Sequence, residues 1–239
     1  MNEQEEHMQL EAIAYAKAHK KEIAAELTDL SRFPADAEPV SVFMAGSPGA
    51  GKTEFSKAVL ALLEEARAHR VVRIDSDDFR ARIPGYTGSN SYLFQGAVSV
   101  IAERVHDVVL SNQQSFIFDG TLANYDKAVE NIRRSLAKGR RVFVFYVYQR
   151  PETAWRFTRA REQAEGRHIP RAAFIEQFLN ARSTVDAIVR ECGDAVTVML
   201  VKKDFEKNSV EKIERITAEN QIDAHIAERY TEHDLEHLL

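Results

Sequence analysis

An eight-residue stretch, GSPGAGKT at 46–53, constrains the fold of this chain more than any other part of its sequence. It matches the pattern G-x-x-x-x-G-K-[ST], whose glycines let the backbone wrap closely around a phosphate group. The apolar run VSVFMA precedes the stretch, and the helical run TEFSKAVLALL overlaps its end. A helix N-terminus in this position points its N–H groups at an anion. The sequence therefore predicts a strand, a phosphate-binding loop and a helix in succession.

The whole loop is expected to hold the phosphates of a nucleoside triphosphate, ATP or, as the alternative, GTP. The lysine should reach the β- and γ-phosphates, and the threonine hydroxyl should ligate Mg²⁺. The residues predicted to bind the nucleotide are Gly46, Ser47, Pro48, Gly49, Ala50, Gly51, Lys52 and Thr53.

Short apolar runs recur after the loop, and helical patterns lie between them. Their β-branched and aromatic residues favour strands. Strands that alternate with helices predict an α/β protein with the three-layer fold of P-loop NTPases, a five-stranded and mostly parallel sheet, and additional N- and C-terminal helices. The four later runs are VVRID at 71–75, SFIFD at 115–119, RVFVFYVY at 141–148 and AVTVMLV at 195–201.

The 239 residues divide into three segments by pattern. Residues 1–38 should form an N-terminal helical segment that ends in the proline-containing linker SRFPADAEP. The P-loop domain should cover 39–205, with a lid around 155–171. Isoleucines at helical spacing predict a helical C-terminal tail over 206–239.

Composition argues against several classes of partner. The formal net charge is −5, so the chain lacks the basic bias of a general nucleic-acid or membrane-surface binder. The single cysteine, Cys192, excludes an intrachain disulfide. The N-terminus has no secretory signal pattern, and the apolar run at 142–148 is too short to cross a bilayer. We expect a cytoplasmic protein with no nucleic-acid or membrane partner.

Carboxylates cluster where two predicted strands end. Asp75, Asp77 and Asp78 follow the second strand, and Asp119 ends the third. Ligands of open α/β sheets bind beyond the carboxyl ends of the strands, so these side chains should lie near the phosphate loop. Asp77 is the predicted catalytic base for a substrate hydroxyl, whereas Asp75 and Asp78 are expected to be structural. With one carboxylate after the third strand and no N-K-x-D motif, a small-molecule kinase is favoured over a motor ATPase or a switch GTPase.

Four motifs occur in an order that resembles the zeta toxin family of P-loop kinases: GSPGAGKT, IDSDDFRARIPGY, FIFDGT and GRHIP. The resemblance extends from about Val40 to Val201. It implies an ATP-dependent kinase that phosphorylates the 3′-hydroxyl of the sugar in UDP-N-acetylglucosamine and serves as the toxin of a toxin–antitoxin system. It also implies that Asp77 is the base and that Asp119 lies near Mg²⁺ or the substrate.

The predicted lid is rich in arginine, and a guanidinium on a closing segment can stabilise the charge of a transferring phosphoryl group. The resemblance implies two such arginines. Arg167 is the second, and Arg161 is the expected first, with Arg159 as an open alternative. The substrate side of the site is expected to include Asp77 and Asp119 again, together with Arg80 and Thr121.

Two other functions stay open at this point. A kinase could act on another acceptor, such as a different nucleotide, a dinucleotide or an antibiotic. A non-catalytic protein could instead use nucleotide binding to control the recruitment of a partner. For the toxin, the expected partner is a separate antitoxin or an inhibitory helix in cis, supplied by the N-terminal or C-terminal segment of this chain.

Overall fold

The computed structural model describes residues 2–204 and 209–239, and its strands form one sheet in the order β2-β3-β1-β4-β5-β6. Strands β1 to β5 pair in parallel, and β6 is antiparallel to β5. All five predicted strands are confirmed. The bounds are β1 Val40–Ala45, β2 Val72–Asp75, β3 Phe116–Asp119, β4 Arg141–Tyr148, β5 Val196–Lys203 and β6 Val210–Ile216.

Helices connect the parallel strands and cover both faces of the sheet. One face packs against α2 through side chains such as Val42, Met44 and Phe55. The other face packs against α1, α4, α5 and α7 around a larger core. The helices are α1 Glu3–Leu27, α2 Lys52–Arg67, α3 Ser76–Arg80, α4 Gln95–Ser111, α5 Tyr125–Ala137, α6 Pro151–Glu165, α7 Arg171–Cys192, α8 Gln221–His225 and α9 Glu232–Leu238.

The predicted α/β fold of P-loop NTPase type is confirmed, with one correction to its strand count. The described residues form a sheet of six strands, not five, because Val210–Ile216 adds an edge strand. The helical spacing of isoleucines predicted a helix for the C-terminal tail, and this prediction is wrong for Val210–Ile216. The open edge of β5 supplies backbone hydrogen-bond partners, and Val and Ile are favourable strand residues. The predicted domain boundary at 205–206 lies outside the described residues.

After β6 the chain returns to the helical layer and docks on α7. Ile222, Ile226 and Leu235 are buried there, each at most 1% exposed. The Arg182 guanidinium donates hydrogen bonds to the carbonyl oxygens of Ile226, at 3.2 Å, and Glu228, at 3.0 Å. The end of the chain is thus part of the folded core of this domain.

The predicted N-terminal helical segment is one long helix. Asn2 caps α1, and its side chain accepts the backbone N–H of Glu5 at 2.9 Å while Glu5 bonds back to the cap. Ala12, Ala16 and Ala24 are buried on its inner face, and small side chains let α1 approach α4 closely. No helix among residues 2–204 and 209–239 is both long enough and apolar enough to cross a membrane.

Candidate active site

The phosphate loop connects β1 to α2 and is packed tightly against its neighbours. Gly46 has φ +133° and Gly49 has φ +71°, conformations that suit glycine. A Cβ atom would overlap the carbonyl oxygen of Val147 at the first position and of Ala154 at the second. The glycines therefore allow the loop to contact β4 and α6 as well as to turn.

The Lys52 ammonium lies inside the curve of this loop. Its Nζ donates hydrogen bonds to the carbonyl oxygens of Gly46, at 2.8 Å, and Ser47, at 2.6 Å. Burial lowers the pKa of Lys52 to about 8, although the nearby carboxylate of Asp119 opposes the shift. A phosphate anion in the loop would favour the charged ammonium again.

An arginine that the sequence analysis missed connects the carboxylates of two strand ends. Arg73 Nη2 lies 2.5 Å from Asp75 Oδ2 and 2.6 Å from Asp119 Oδ2. The Ser56 hydroxyl donates to the same oxygen of Asp119 at 2.6 Å. The signal for Arg73 was a charged residue inside the apolar run VVRID. Asp75 and Asp119 are register partners in the sheet, which places this guanidinium between them.

Asp75 caps the helix that follows β2 and also lines the cavity. Its side chain accepts the backbone N–H of Asp77 at 2.9 Å and so caps α3. Burial raises the pKa of Asp75 to about 6, against the opposing effect of the Arg73 charge. Asp78 is exposed.

Three arginines converge on the carboxylate of Asp77. Arg80 Nη1 bonds to Oδ1, and Arg167 Nη1 bonds to Oδ2. Arg161 Nη2 is 3.9 Å from Oδ2. Arg80 is only 5% exposed, and its other terminal nitrogen donates to Gln95 Oε1 at 2.8 Å. Arg80 also lines the cavity, so its expected contact with substrate stays a prediction.

The geometry distinguishes the two candidates for the first lid arginine. Arg161 lines the same cavity as Asp77, and it also pairs with Glu165 at 3.3 Å. Arg159 pairs with Glu162 at 2.6 Å and is not among the described residues that line this cavity. The position of Arg161 therefore suits the expected role better.

A cavity of about 1030 Å³ brings most of the predicted site residues together. Three loop residues, Gly46, Ser47 and Ala50, do not line it, and all three are buried. The predicted residues that do line it are Pro48, Gly49, Gly51, Lys52, Thr53, Asp77, Arg80, Asp119, Thr121, Arg161 and Arg167.

The two terminal segments, from which an inhibitory helix in cis was expected, contribute no described residue to the cavity lining. Among the described residues, the cavity lining extends from Pro48 to Thr184 and includes none from α1 or from 209–239. The amphipathic pattern that suggested the idea is explained by packing instead, since α1 packs on α4 and α9 packs on α7.

Comparison with solved structures shows the same fold. A protein of the PezAT chromosomal toxin–antitoxin system of Streptococcus pneumoniae matches with TM-score 0.66 and 16% identity, over 92% of this chain and 91% of that one. A structure of the AvrRxo1-ORF1:ORF2 complex with ATP matches with TM-score 0.57 and 16% identity, over 89% of this chain and 65% of that one. The same complex with sulphate ions matches with TM-score 0.57, 16% identity and coverages of 88% and 66%.

No curated protein sequence matches this chain. The family model for zeta toxins does match, over residues 23–216. The matched range contains the phosphate loop, the carboxylates at the strand ends and the arginine-rich lid, which are the parts that form the cavity. The chain belongs to the zeta toxin family.

Proposed function

We propose that the protein is a kinase that transfers the γ-phosphate of ATP to a sugar hydroxyl of a nucleotide sugar, with UDP-N-acetylglucosamine as the first candidate, and that it acts as the toxin of a toxin–antitoxin system. The observation that supports the proposal best is that Lys52 and Asp77 line one cavity together with Arg161 and Arg167. Phosphoryl transfer to an alcohol needs a loop that holds the phosphates, a carboxylate that accepts the hydroxyl proton and positive charge near the transferred group. Family membership points the same way.

In this reaction the acceptor hydroxyl oxygen attacks the γ-phosphorus, and the bond from that phosphorus to the oxygen bridging it to the β-phosphate breaks. The hydroxyl proton passes to a carboxylate oxygen of Asp77. Arg80 holds this carboxylate in place through its own bond to Oδ1. Lys52, Arg161 and Arg167 stabilise the charge on the phosphoryl oxygens as it moves from acceptor to leaving group.

The donor set near the loop fits Mg²⁺. Mg²⁺ prefers oxygen ligands and keeps several waters, so few protein ligands are needed. The described residues contain no cluster of three or more acidic, histidine or cysteine side chains that could cage a metal ion. Thr53 would hold Mg²⁺ through its hydroxyl. Asp119 would contribute the carboxylate oxygen that is not bonded to Ser56 and Arg73. The ion would neutralise phosphate charge.

The choice of ATP and of an antitoxin partner follows from relatives of the same fold. One similar structure is a complex with ATP, and another protein belongs to a toxin–antitoxin system. Neither α1 nor the described residues 209–239 line the cavity, so an antitoxin supplied as a separate chain would suit the site better than inhibition in cis.

The test is mass spectrometry of small-molecule products. Purified protein is incubated with ATP, Mg²⁺ and separate acceptors: UDP-N-acetylglucosamine, other nucleotide sugars, nucleotides, dinucleotides and aminoglycosides. The expected product is the nucleotide sugar with one added phosphoryl group, absent with Asp77→Asn and present with Asp78→Asn. Phosphate on a different acceptor would support the kinase activity and contradict the proposal that the acceptor is a nucleotide sugar. ATP binding without transfer to any acceptor would favour the nucleotide-dependent binding protein.

A further inference from the structure

The turn that carries Arg167, between α6 and α7, is held by a loop from a distant part of the chain. This docking loop, residues 85–91, lies between α3 and α4. The Ser91 hydroxyl donates a hydrogen bond to the carbonyl oxygen of His168 at 2.8 Å, across 77 residues of sequence. Ser91 is 4% exposed, so water competes little for this bond. The docking loop therefore fixes the lid backbone directly after Arg167.

A second contact fixes the lid directly before Arg167. The Gly88 backbone lies so close to the lid that a Cβ atom there would be 3.1 Å from the carbonyl oxygen of Glu165 and 3.3 Å from the carbonyl carbon of Gly166. Gly88 has φ +85°, a conformation that suits glycine. The docking loop thus contacts the lid on both sides of Arg167, through one hydrogen bond and one close backbone approach.

The end of α6 holds the same turn from the other direction. The Gly166 N–H donates to the carbonyl oxygen of Glu162 at 2.8 Å, and Gly166 adopts φ +72° where α6 ends. His168 Nδ1 lies 2.6 Å from Glu162 Oε1. The residues on both sides of Arg167 therefore have partners on α6 and on the docking loop, while the Arg167 guanidinium bonds to Asp77.

Helix α1 supports the docking loop and the turn that follows it. The Asn90 amide donates to Met8 Sδ at 3.3 Å, and the Tyr92 hydroxyl donates to Glu5 Oε1 at 2.7 Å. The Tyr92 ring also meets the His168 ring edge to face, with 6.4 Å between the ring centres. Both α1 residues precede the range that the family model matches. The support of the lid thus includes a part of this chain that lies outside the family pattern.

The position of Arg167 matters because its charge has to meet the phosphoryl group. A guanidinium stabilises a transferring phosphoryl group from hydrogen-bond distance, and a misplacement of about 1 Å can lower the rate about 10²-fold. Arg167 lines the cavity together with Lys52 and Asp77. A turn that is fixed on both sides of Arg167 leaves its side chain, and not the lid backbone, to change partner from Asp77 to a phosphoryl group.

We propose that the docking loop positions Arg167 for phosphoryl transfer, with Ser91 and Gly88 as positioning residues and α1 as the support of the loop. Ser91 acts through the His168 carbonyl group, and Gly88 acts by admitting the lid backbone at close range. The inference rests on the proposed kinase function, because it assigns Arg167 to the transferred phosphoryl group. Ser91 also lines the cavity, whereas Gly88 is not among the described residues that line it. An effect that both residues share is therefore an effect on the lid and not a contact with the acceptor.

The first test is a matched pair of glycine variants, Gly88→Ala and Gly85→Ala. Gly85 has φ +84°, almost the value at Gly88, but a Cβ atom there would meet only an ordinary van der Waals contact, with Phe94 Cζ at 3.9 Å. Both variants strain the backbone to a similar extent, and Gly88→Ala in addition displaces the lid. With ATP and UDP-N-acetylglucosamine, kcat should be at least about threefold lower for Gly88→Ala than for Gly85→Ala. Equal kcat values would overturn the proposal.

The second test replaces Ser91 by alanine, with Ser89→Ala as the control. Ser89 is exposed in the same loop, and its hydroxyl lies 3.1 Å from the Thr87 hydroxyl. Ser91→Ala should lower kcat about tenfold, the effect of one lost buried hydrogen bond, and should leave ATP affinity and the acceptor KM within about twofold of wild type. Ser89→Ala should match wild type. A raised acceptor KM at unchanged kcat would assign Ser91 to substrate binding and overturn its positioning role.

A double mutant separates positioning of Arg167 from general damage to the site. In an Arg167→Ala background, Ser91→Ala should change kcat by less than about twofold, because the group that Ser91 positions is already absent. Single-turnover rates with excess protein provide the measurement where turnover is slow. A further loss of about tenfold would show that Ser91 acts independently of Arg167, and it would contradict the proposal.

Hydrogen exchange followed by mass spectrometry tests the docking without turnover. The backbone amides of residues 166–169 should exchange faster in Ser91→Ala and Gly88→Ala than in their two controls, because the turn opens more often. Unchanged exchange in both variants would show that the docking loop does not hold the lid. If the wild-type protein phosphorylates no acceptor, the kinase proposal fails and the role of Arg167 fails with it, whereas exchange still decides whether the loop docks the lid.

Discussion

Arg167 and Asp77 are bound to each other through a guanidinium–carboxylate hydrogen bond, although 90 residues separate them in the chain. This contact joins the lid to the residue after β2 and places positive charge beside the proposed base. A guanidinium bonds phosphate oxygens with the same geometry that it uses for carboxylates. We expect Arg167 to exchange the Asp77 carboxylate for a phosphoryl group when ATP binds, which would free the carboxylate to accept a proton.

Replacement of Asp77 by asparagine should remove phosphoryl transfer and spare ATP binding. The amide keeps the shape of the side chain but cannot accept the hydroxyl proton, and general-base catalysis contributes about 10²- to 10⁴-fold. The measurement is kcat by product mass spectrometry, with ATP affinity by calorimetry. Asp78→Asn is the control because Asp78 is adjacent and exposed. Equal kcat values for Asp77→Asn and wild-type protein would show that Asp77 is not the catalytic base.

Replacement of the two candidate lid arginines, Arg161 and Arg159, should affect kcat to different extents. Arg161→Ala is expected to lower kcat by about 10²-fold or more, because Arg161 lines the cavity and lies 3.9 Å from the Asp77 carboxylate. Arg159→Ala should stay within about twofold of wild type, since Arg159 is exposed, pairs with Glu162 and does not line the cavity. Initial rates at saturating ATP decide between them. The reverse order of effects would assign the role to Arg159.

The phosphate loop should not tolerate a methyl group at Gly49. Gly49→Ala combines φ +71° with overlap against the carbonyl oxygen of Ala154, so the loop must shift and ATP affinity should fall by at least about tenfold. Gly139→Ala is a matched control, because Gly139 has φ +67° and no atom lies within 4 Å of its Cβ position. It should cost only about 1 kcal/mol of unfolding free energy. Urea unfolding and ATP titration measure the two effects, and equal losses of ATP affinity would contradict the packing argument.

Local spacing predicted the parts of the molecule in which neighbouring residues determine structure. The phosphate loop, the five parallel strands and the positions of Asp77 and Asp119 at strand ends all follow from short patterns. The carboxyl ends of parallel strands meet at one edge of the sheet, so separate motifs could be placed together without knowledge of side-chain contacts.

Long-range pairing determined what the sequence did not predict. Arg73 bonds to Asp119, which is 46 residues away, only because β2 and β3 are adjacent in register. Strand β6 forms because β5 has an open edge, and a helical spacing of isoleucines carried no information about that edge.

The C-terminal segment should contribute to stability and not to inhibition. Leu235 is the buried residue of α9 and is 0% exposed, so Leu235→Ala should lower the free energy of unfolding by about 2–5 kcal/mol. Leu238→Ala is the control, because Leu238 is 42% exposed and should change stability by less than about 0.5 kcal/mol. Chemical unfolding gives both values. A Leu235→Ala protein of unchanged stability and raised kinase rate would support inhibition in cis.

ATP binding should take up a proton in mildly alkaline solution because of Lys52. Burial lowers the pKa of Lys52 from 10.5 to about 8, and bound phosphates would raise it again. Burial of the Lys52 ammonium lowers the free energy of unfolding, and this loss is complete below pH 8. The loss becomes smaller as pH rises from 8 towards 10.5, because the folded chain then holds a neutral amine. For binding, the ammonium must be restored, so ATP affinity should weaken as pH rises through about 8.

Isothermal calorimetry at about pH 9, where the phosphate groups are already ionised, isolates this proton. The observed binding enthalpy should differ between two buffers of different ionisation enthalpy by an amount equal to uptake of about one proton. Lys52→Arg should abolish the difference, because a guanidinium stays charged at this pH. Wild-type enthalpies that agree in both buffers would show that Lys52 keeps its proton before ATP binds, and that contact with the carboxylates near the loop outweighs its burial.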